Sequence, residues 1–199
     1  QENYENQILY NGRMWRNMYF NVRGNQFLFS DEFQPGTLKI NGRLFGDLRL
    51  LYDIYSDEIL TRTPKGTIVQ LNKEMVSEFT LDFNSNTYYF LKQEEDEADY
   101  KGYVNVLYSN NLKLFVKYKK DILLLAEEKK YDAFFQYHRI FLLKDGKTYL
   151  INNKNNIIRL FPENKHEIRN FIRSNKLKMT KKEPESFIPL IGFIDNLNR

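Results

Sequence analysis

Arg13, Trp15 and Arg16 stand close together near the start of the chain and form the candidate ligand site of this sequence. A Trp ring flanked by guanidinium groups can be a stacking platform for a sugar or a peptide side chain. The alternative is that Trp15, the only tryptophan, is a partly buried anchor packed under the arginine stems. The sequence favours the anchor, and the three residues are kept as the candidate ligand site.

No catalytic constellation is visible in the sequence. The motifs G-x-S-x-G and H-E-x-x-H are absent, and two histidines leave few ways to build a histidine base. His138 has no second His, Cys or carboxylate at ligand spacing, which favours a strand residue with a satisfied imidazole. A carboxylate-pair glycosidase stays open because its two acids need not be near in sequence. We therefore predict no catalytic residue, no cofactor-binding residue and no cofactor.

The sequence also predicts no metal site. Cysteine is absent, which excludes disulfides and sulfur-based zinc sites. Residues Glu94, Glu95, Asp96, Glu97 and Asp99 form an acidic run, and clustered carboxylates of this kind can hold calcium. The run lacks the alternating ligands, the glycine and the terminal glutamate of an EF-hand loop. A flexible solvated loop between two strands is the favoured interpretation.

The net charge of +4 is concentrated in the last fifty residues. From Leu150 to Arg199 there are ten Lys and Arg against five Asp and Glu, which gives +5 there and −1 for the rest. Lys165, Arg169, Arg173 and Lys176 recur on the polar side of an amphipathic helix. A nucleic-acid site would combine such charge with base-stacking aromatic residues. The pattern favours a solvated helix face, and no nucleic-acid partner is predicted.

The first 150 residues have the pattern of short antiparallel strands. Aromatic residues make up 16% of the chain, and Asn41-Gly42 and Asp145-Gly146 are hairpin turn pairs. The segment 48–55 alternates as a strand does when one face is buried and the other is mixed. The apolar run within 121–130 is equally compatible with a strand and with a short helix.

Near Leu150 the hydrophobic period changes from two to about 3.6. We predict three short helices, the first capped by Asn152 or Asn153, the second with Pro162 in its first turn, and the third capped by Ser186. The predicted fold class is α+β. An antiparallel β-meander body over residues 1–150, as a sheet, a sandwich or a partly open barrel, carries a helical tail over residues 151–199. The two parts are expected to form one cooperative unit.

Several segments resemble an uncharacterised family of exported proteins from Bacteroidetes. They are Tyr-Asp-Ile-Tyr-Ser-Asp-Glu-Ile at 52–59, Gln-Leu-Asn-Lys-Glu-Met-Val at 70–76, Lys-Gly-Tyr-Val-Asn-Val-Leu-Tyr at 101–108 and Lys-Glu-Pro-Glu-Ser-Phe-Ile-Pro at 182–189. The resemblance covers nearly the whole chain. It implies a periplasmic or secreted protein, with Gln1 as the first residue after removal of a signal peptide. It carries no activity, cofactor or catalytic residue to this chain.

Two functions are compatible with the sequence. The first is a non-enzymatic envelope-associated binding or scaffolding protein, whose partner is a protein, peptide or glycan of the cell envelope. The alternative is a hydrolase, for example a glycoside hydrolase, with a site built from carboxylates distant in sequence. The absence of motifs favours the first. No run of about 18 apolar residues occurs, so no transmembrane segment is predicted.

Overall fold

The computed structural model describes residues 8–94 and 99–197 and contains an antiparallel sheet of eleven strands. The strands are β1 (Gly12–Met14), β2 (Gln34–Ile40), β3 (Arg43–Asp53), β4 (Glu58–Arg62), β5 (Ile68–Leu71), β6 (Val76–Phe83), β7 (Asn86–Gln93), β8 (Gly102–Ser109), β9 (Lys113–Glu127), β10 (Tyr131–Lys144) and β11 (Lys147–Ile151). Three α-helices follow, α1 (Lys154–Leu160), α2 (Lys165–Ser174) and α3 (Ile188–Leu197), with a 3₁₀ helix, Pro184–Phe187, before α3. The predicted α+β class is confirmed.

The sheet consists of two meanders that meet at β2. Strands β2 to β5 run consecutively in one direction, with β1 added beyond β5, and β6 to β11 run consecutively in the other. Only residues 72–75 join β5 to β6, and they include a turn in which Met75 N–H donates to the Asn72 carbonyl. Four strand spacings separate β5 from β6, which is about 19 Å in a flat sheet. A turn of this length does not span that distance, so the sheet is curved across β2–β6.

The chain divides into two compact units. The first unit contains Gln1–Val104 and Tyr118–Tyr137, and the second contains Asn105–Lys117 and His138–Arg199. Strands β8, β9 and β10 therefore contribute residues to both units. The expectation of one cooperative unit stays a prediction.

Aromatic rings fill one side of the sheet in the first unit. Tyr52, Phe79, Phe90 and Tyr103 are each at most 1% exposed, and Phe79 stacks on Phe90 with ring centroids 4.6 Å apart. Tyr52 meets the other three rings edge-on at 5.1 to 5.9 Å. Such edge-to-face and offset contacts are the favoured geometries of aromatic pairs. The high aromatic content of the sequence is thus used in a packed core.

The opposite side of β3 is also buried, which the alternating pattern did not predict. All four residues from Leu50 to Asp53 are buried. The cause is the segment after β1, because Trp15 and Phe27 from that segment pack against Leu51 and Leu60. A strand covered on both faces loses the two-residue alternation of burial.

Short helices dominate the second unit. Its α-helices bury apolar side chains, which are Ile157 and Ile158 of α1, Ile168 of α2 and Leu190, Ile191 and Ile194 of α3. Phe171 of α2 stacks on Phe193 of α3 with ring centroids 3.9 Å apart. Each helix thus buries one apolar stripe, which supplies most of a short helix's stability.

Two of the predicted helix starts are wrong. The second helix begins at Lys165 rather than at Pro162, because Pro162 and Glu163 form a bend before the cap residue Asn164. Ser186 does not cap the third helix. Its hydroxyl accepts a hydrogen bond from Thr180 N–H and donates one to the Glu183 carbonyl. These bonds stabilise the turn before the 3₁₀ helix rather than the start of α3. The first helix is capped by Asn153, one of the two residues predicted.

Candidate functional site

An open pocket of about 430 Å³ lies in the first unit, where β1, β5 and the β5–β6 link meet the start of β4. We call it the Arg13 pocket. Two cations, two carboxylates and three amide side chains line it, together with Gly12 and Leu71: Asn11, Arg13, Glu58, Gln70, Asn72, Lys73 and Glu74. The lining contains positive and negative side chains as well as neutral amides that both donate and accept hydrogen bonds. Such a lining suits a polar ligand.

Strand β1 places Arg13 in the pocket by adding to the free edge of β5. Arg13 pairs with Gln70 in the strand register, and its Nε donates to Gln70 Oε1 at 2.9 Å. Its guanidinium also lies 3.7 Å from the Glu58 carboxylate. Gly12 permits the close approach, because a Cβ there would lie 2.0 Å from the Gln70 carbonyl oxygen. These two contacts orient the Arg13 side chain, which is largely exposed.

Asp57 anchors the other cation of the pocket. Lys73 Nζ donates to Asp57 Oδ2 at 2.7 Å, and the Tyr52 hydroxyl donates to Asp57 Oδ1 at 2.5 Å. The Tyr103 N–H also donates to Asp57 Oδ2, at 3.4 Å. The carboxylate thus joins the β3–β4 turn, the β5–β6 link and the start of β8. Its charge-assisted bonds fix Lys73 where it lines the pocket.

Burial changes the acid–base properties of several groups around the pocket. Burial raises the pKa of Glu58, and the nearby Arg13 and Lys73 charges oppose this shift. Burial also raises the pKa of Tyr52 well above its usual value, and the Asp57 charge adds to the effect. Tyr52 is therefore a neutral donor at any ordinary pH, and Glu58 holds its proton more readily than a free glutamate.

A second pocket of about 270 Å³ adjoins the first and shares Lys73 and Glu74 with it. Lys92 lines this second pocket, and its Nζ donates to the Lys73 carbonyl at 3.2 Å and to Glu74 Oε2 at 3.4 Å. Glu94, the first residue of the acidic run, also lines it. The two pockets are therefore neighbours that share Lys73 and Glu74 in their lining.

The predicted ligand residues lie in different surroundings. Arg13 lines the pocket. Trp15 is half-buried and packs against the cluster of Phe27, Leu51 and Leu60, with its ring 5.9 Å from that of Phe27. Arg16 is exposed, outside the pocket lining. The structure thus places Trp15 as an anchor, and of the three predicted ligand residues only Arg13 belongs to the lining of the Arg13 pocket.

Sequence reasoning missed Glu58, Lys73 and Glu74. These residues occupy a strand start and a short link, positions without any motif, and only the pairing of β1 with β5 brings Arg13 to them. Residues 70–75 lie inside the run 70–76 that carries the resemblance, and the resemblance assigns no role to them. The sequence offers one signal of a polar site here, which is the adjacent pair of opposite charges at Lys73 and Glu74.

Both histidines belong to the second unit, and neither is among the residues that line the Arg13 pocket. His138 Nε2 lies 2.6 Å from the Lys181 carbonyl oxygen, so the ring donates its N–H there. This is the satisfied strand histidine that the sequence favours. Residues 95–97 of the acidic run lie outside the described residues, as does Gln1. Within 8–94 and 99–197 no cluster of three or more His, Cys, Asp or Glu is placed to hold a metal ion.

In the part of the chain that the structure describes, the helices are all too short or too polar to cross a membrane. Comparisons with protein-family models, with curated proteins and with solved structures give no match for this chain.

Proposed function

We propose that this chain is a non-enzymatic binding protein of the cell envelope, periplasmic or secreted, and that its ligand is a peptide segment held in the Arg13 pocket. Its placement in the envelope rests on the resemblance to exported proteins. The ligand class rests on the pocket, whose lining offers two cations, two carboxylates and three amides. A peptide carries matching charges and amide groups along one chain, whereas a neutral glycan carries no charge.

The observation that carries the proposal is the fixed placement of the pocket cations. Arg13 is held by Gln70 and Glu58, and Lys73 is held by Asp57. Groups that are already oriented lose little entropy when a ligand binds, and this preorganisation favours binding. The second pocket lies beside the first at Lys73 and Glu74, so an extended peptide has further polar groups within reach.

A phage-displayed random hexapeptide library tests the proposal. We expect selection of charged peptides whose affinity, measured by calorimetry, falls about tenfold or more in Arg13→Gln and in Glu58→Gln, because each loses a charge-assisted contact. Arg16→Gln is the matched control, since it removes the same charge three residues away and outside the pocket. Equal losses in Arg13→Gln and Arg16→Gln, or binding of maltohexaose or chitohexaose in place of peptides, contradict the proposal.

A hydrolase is the second candidate, and one observation favours it. Glu58 has a raised pKa, as a general acid requires, and a second carboxylate, Glu74, lines the same pocket. If the chain is a glycoside hydrolase, it releases reducing sugar from maltohexaose or chitohexaose, whose sugar leaving groups need a proton from a general acid, and Glu58→Gln abolishes the release. We expect no release above the rate of the buffer.

A further inference from the structure

A groove of about 360 Å³ in the second unit is lined by the helices α1 and α2. Its lining residues are Lys154, Asn155, Ile158, Arg169, Ile172 and Arg173. We call it the Arg169 groove. Its volume lies at the lower end of the range of about 300 to 1,000 Å³ that is usual for small-molecule sites.

Three cations surround this groove. Lys154 stands at the first position of α1, and Arg169 and Arg173 are one helical turn apart on α2. Among residues 8–94 and 99–197, none of the three forms an ion pair, and all three are exposed. The three cations therefore give the groove a positive field, and its lining contains no acidic side chain.

The floor of the groove is apolar. Ile158 is 6% exposed and Ile172 is half-buried. Cations above an apolar floor suit a ligand that carries a negative group on one end and hydrocarbon on the other. Two arginines also bind phosphate oxygens through paired N–H donors, and a doubly charged phosphate makes better use of three cations than a carboxylate does.

We propose that the Arg169 groove binds a phosphate monoester attached to a short apolar chain, with the phosphate between Lys154, Arg169 and Arg173 and the hydrocarbon on Ile158 and Ile172. This site is independent of the Arg13 pocket. In the sequence, Lys165, Arg169, Arg173 and Lys176 form one basic stripe. The structure divides these four residues into two pairs, because Arg169 and Arg173 line the groove and Lys165 and Lys176 do not.

That separation supplies a matched control. The variant Arg169→Gln/Arg173→Gln removes two groove charges, and Lys165→Gln/Lys176→Gln removes two charges of the same stripe that lie outside the groove. All four residues are exposed, so both variants are expected to keep the thermal midpoint of the full chain. The probes are octyl phosphate below its micelle concentration, octyl glucoside and inorganic phosphate, titrated calorimetrically in physiological salt.

We expect octyl phosphate to bind at least about tenfold more tightly than inorganic phosphate and octyl glucoside, because only it fills both parts of the groove. The groove variant should lose about tenfold or more in affinity, and the control variant less than about twofold. Equal losses in both variants indicate attraction by surface charge alone and overturn the proposal. So does inorganic phosphate binding as tightly as octyl phosphate, or binding confined to vesicles of phosphatidylglycerol without binding of octyl phosphate.

Discussion

Asp53 is a carboxylate buried at the end of β3 and is 3% exposed. Its Oδ1 accepts hydrogen bonds from Tyr55 N–H at 2.9 Å and Ser56 N–H at 3.0 Å. Burial raises the pKa of Asp53, while these hydrogen bonds and the Lys120 charge act in the opposite direction. The desolvation of the carboxylate prevails, so Asp53 makes folding depend on pH.

The sign of that dependence follows from the raised pKa. The folded chain binds the Asp53 proton more tightly than the unfolded chain does. The contribution of Asp53 to stability is therefore fully present below its unfolded pKa near 3.8 and is lost as pH rises through the folded pKa. We expect Asp53→Asn, which cannot ionise, to gain stability relative to the natural chain as pH rises from about 4 to 7.

Urea unfolding of both chains at several pH values measures this difference. Asp31→Asn, at an exposed position, controls for the general loss of one negative charge. A stability difference between Asp53→Asn and the natural chain that stays constant with pH, or that moves the other way, contradicts the assignment.

Residue types alone identified only one residue of the candidate site. Arg13 is a candidate ligand residue in the sequence because it stands near Trp15. In the structure its partners are Gln70 and Glu58, far along the chain. Trp15, the more conspicuous residue, packs on the core. A pocket assembled from strand pairing leaves no local pattern, so its other residues could not be predicted from one sequence.

At the scale of elements, Asp195 connects α3 to the β8–β9 hairpin within the second unit. Its carboxylate accepts from the Tyr108 hydroxyl at 2.8 Å and from Leu112 N–H at 3.2 Å, and the residue is 1% exposed. A helix of ten residues has little stability of its own and depends on such contacts.

We expect Asp195→Ala to lower the free energy of unfolding by about 2 to 4 kcal/mol, because it removes the carboxylate that accepts from the half-buried Tyr108 hydroxyl and from the buried Leu112 N–H. Asp195→Asn keeps one acceptor oxygen and should cost less. Asn196→Ala, at the exposed neighbouring position, should change stability by under about 0.5 kcal/mol. Denaturant titration ranks the three variants, and a cost for Asp195→Ala no larger than that of Asn196→Ala would show that the bonds do not hold the helix.

Turn residues and hydrophobic periodicity predicted most strands and helices, but they predicted the first and last residues of these elements less well. The turns at Asn41-Gly42 and Asp145-Gly146 are both confirmed, because all four residues adopt the positive φ that such hairpins require. The ambiguous apolar run within 121–130 belongs to β9, which continues to Glu127. The apolar run is too short for its periodicity to distinguish a strand from a helix. It is a strand because it pairs with neighbouring strands of the sheet.

At the scale of the whole molecule, three strands pass through both compact units. Strands β8, β9 and β10 each have residues in the two units, without an intervening linker. Unfolding one unit alone would require a break in the middle of each strand. We therefore expect a single thermal transition whose calorimetric and van't Hoff enthalpies have a ratio of about 1.

Differential scanning calorimetry of the full chain measures that ratio. Two resolved transitions, or a calorimetric enthalpy well above the van't Hoff value, would indicate that the units unfold independently. The antiparallel β-rich body was predictable from alternation and turn residues. The strand order was not, because the pairing of β2 with β6 joins residues that no local signal connects.

The short link between β5 and β6 has a consequence for how fast the chain folds. Strand β6 pairs with β2 across separations of 36 to 45 residues, from Ile40 with Val76 to Gly36 with Leu81. The intervening meander β3–β5 must be largely formed and bent before the link can deliver β6 to its partner. Closing such a loop costs entropy before any contact repays it, and contacts of this range slow folding towards the millisecond-to-second regime. We therefore expect the step that curves the sheet and pairs β6 with β2 to be the slowest in its assembly.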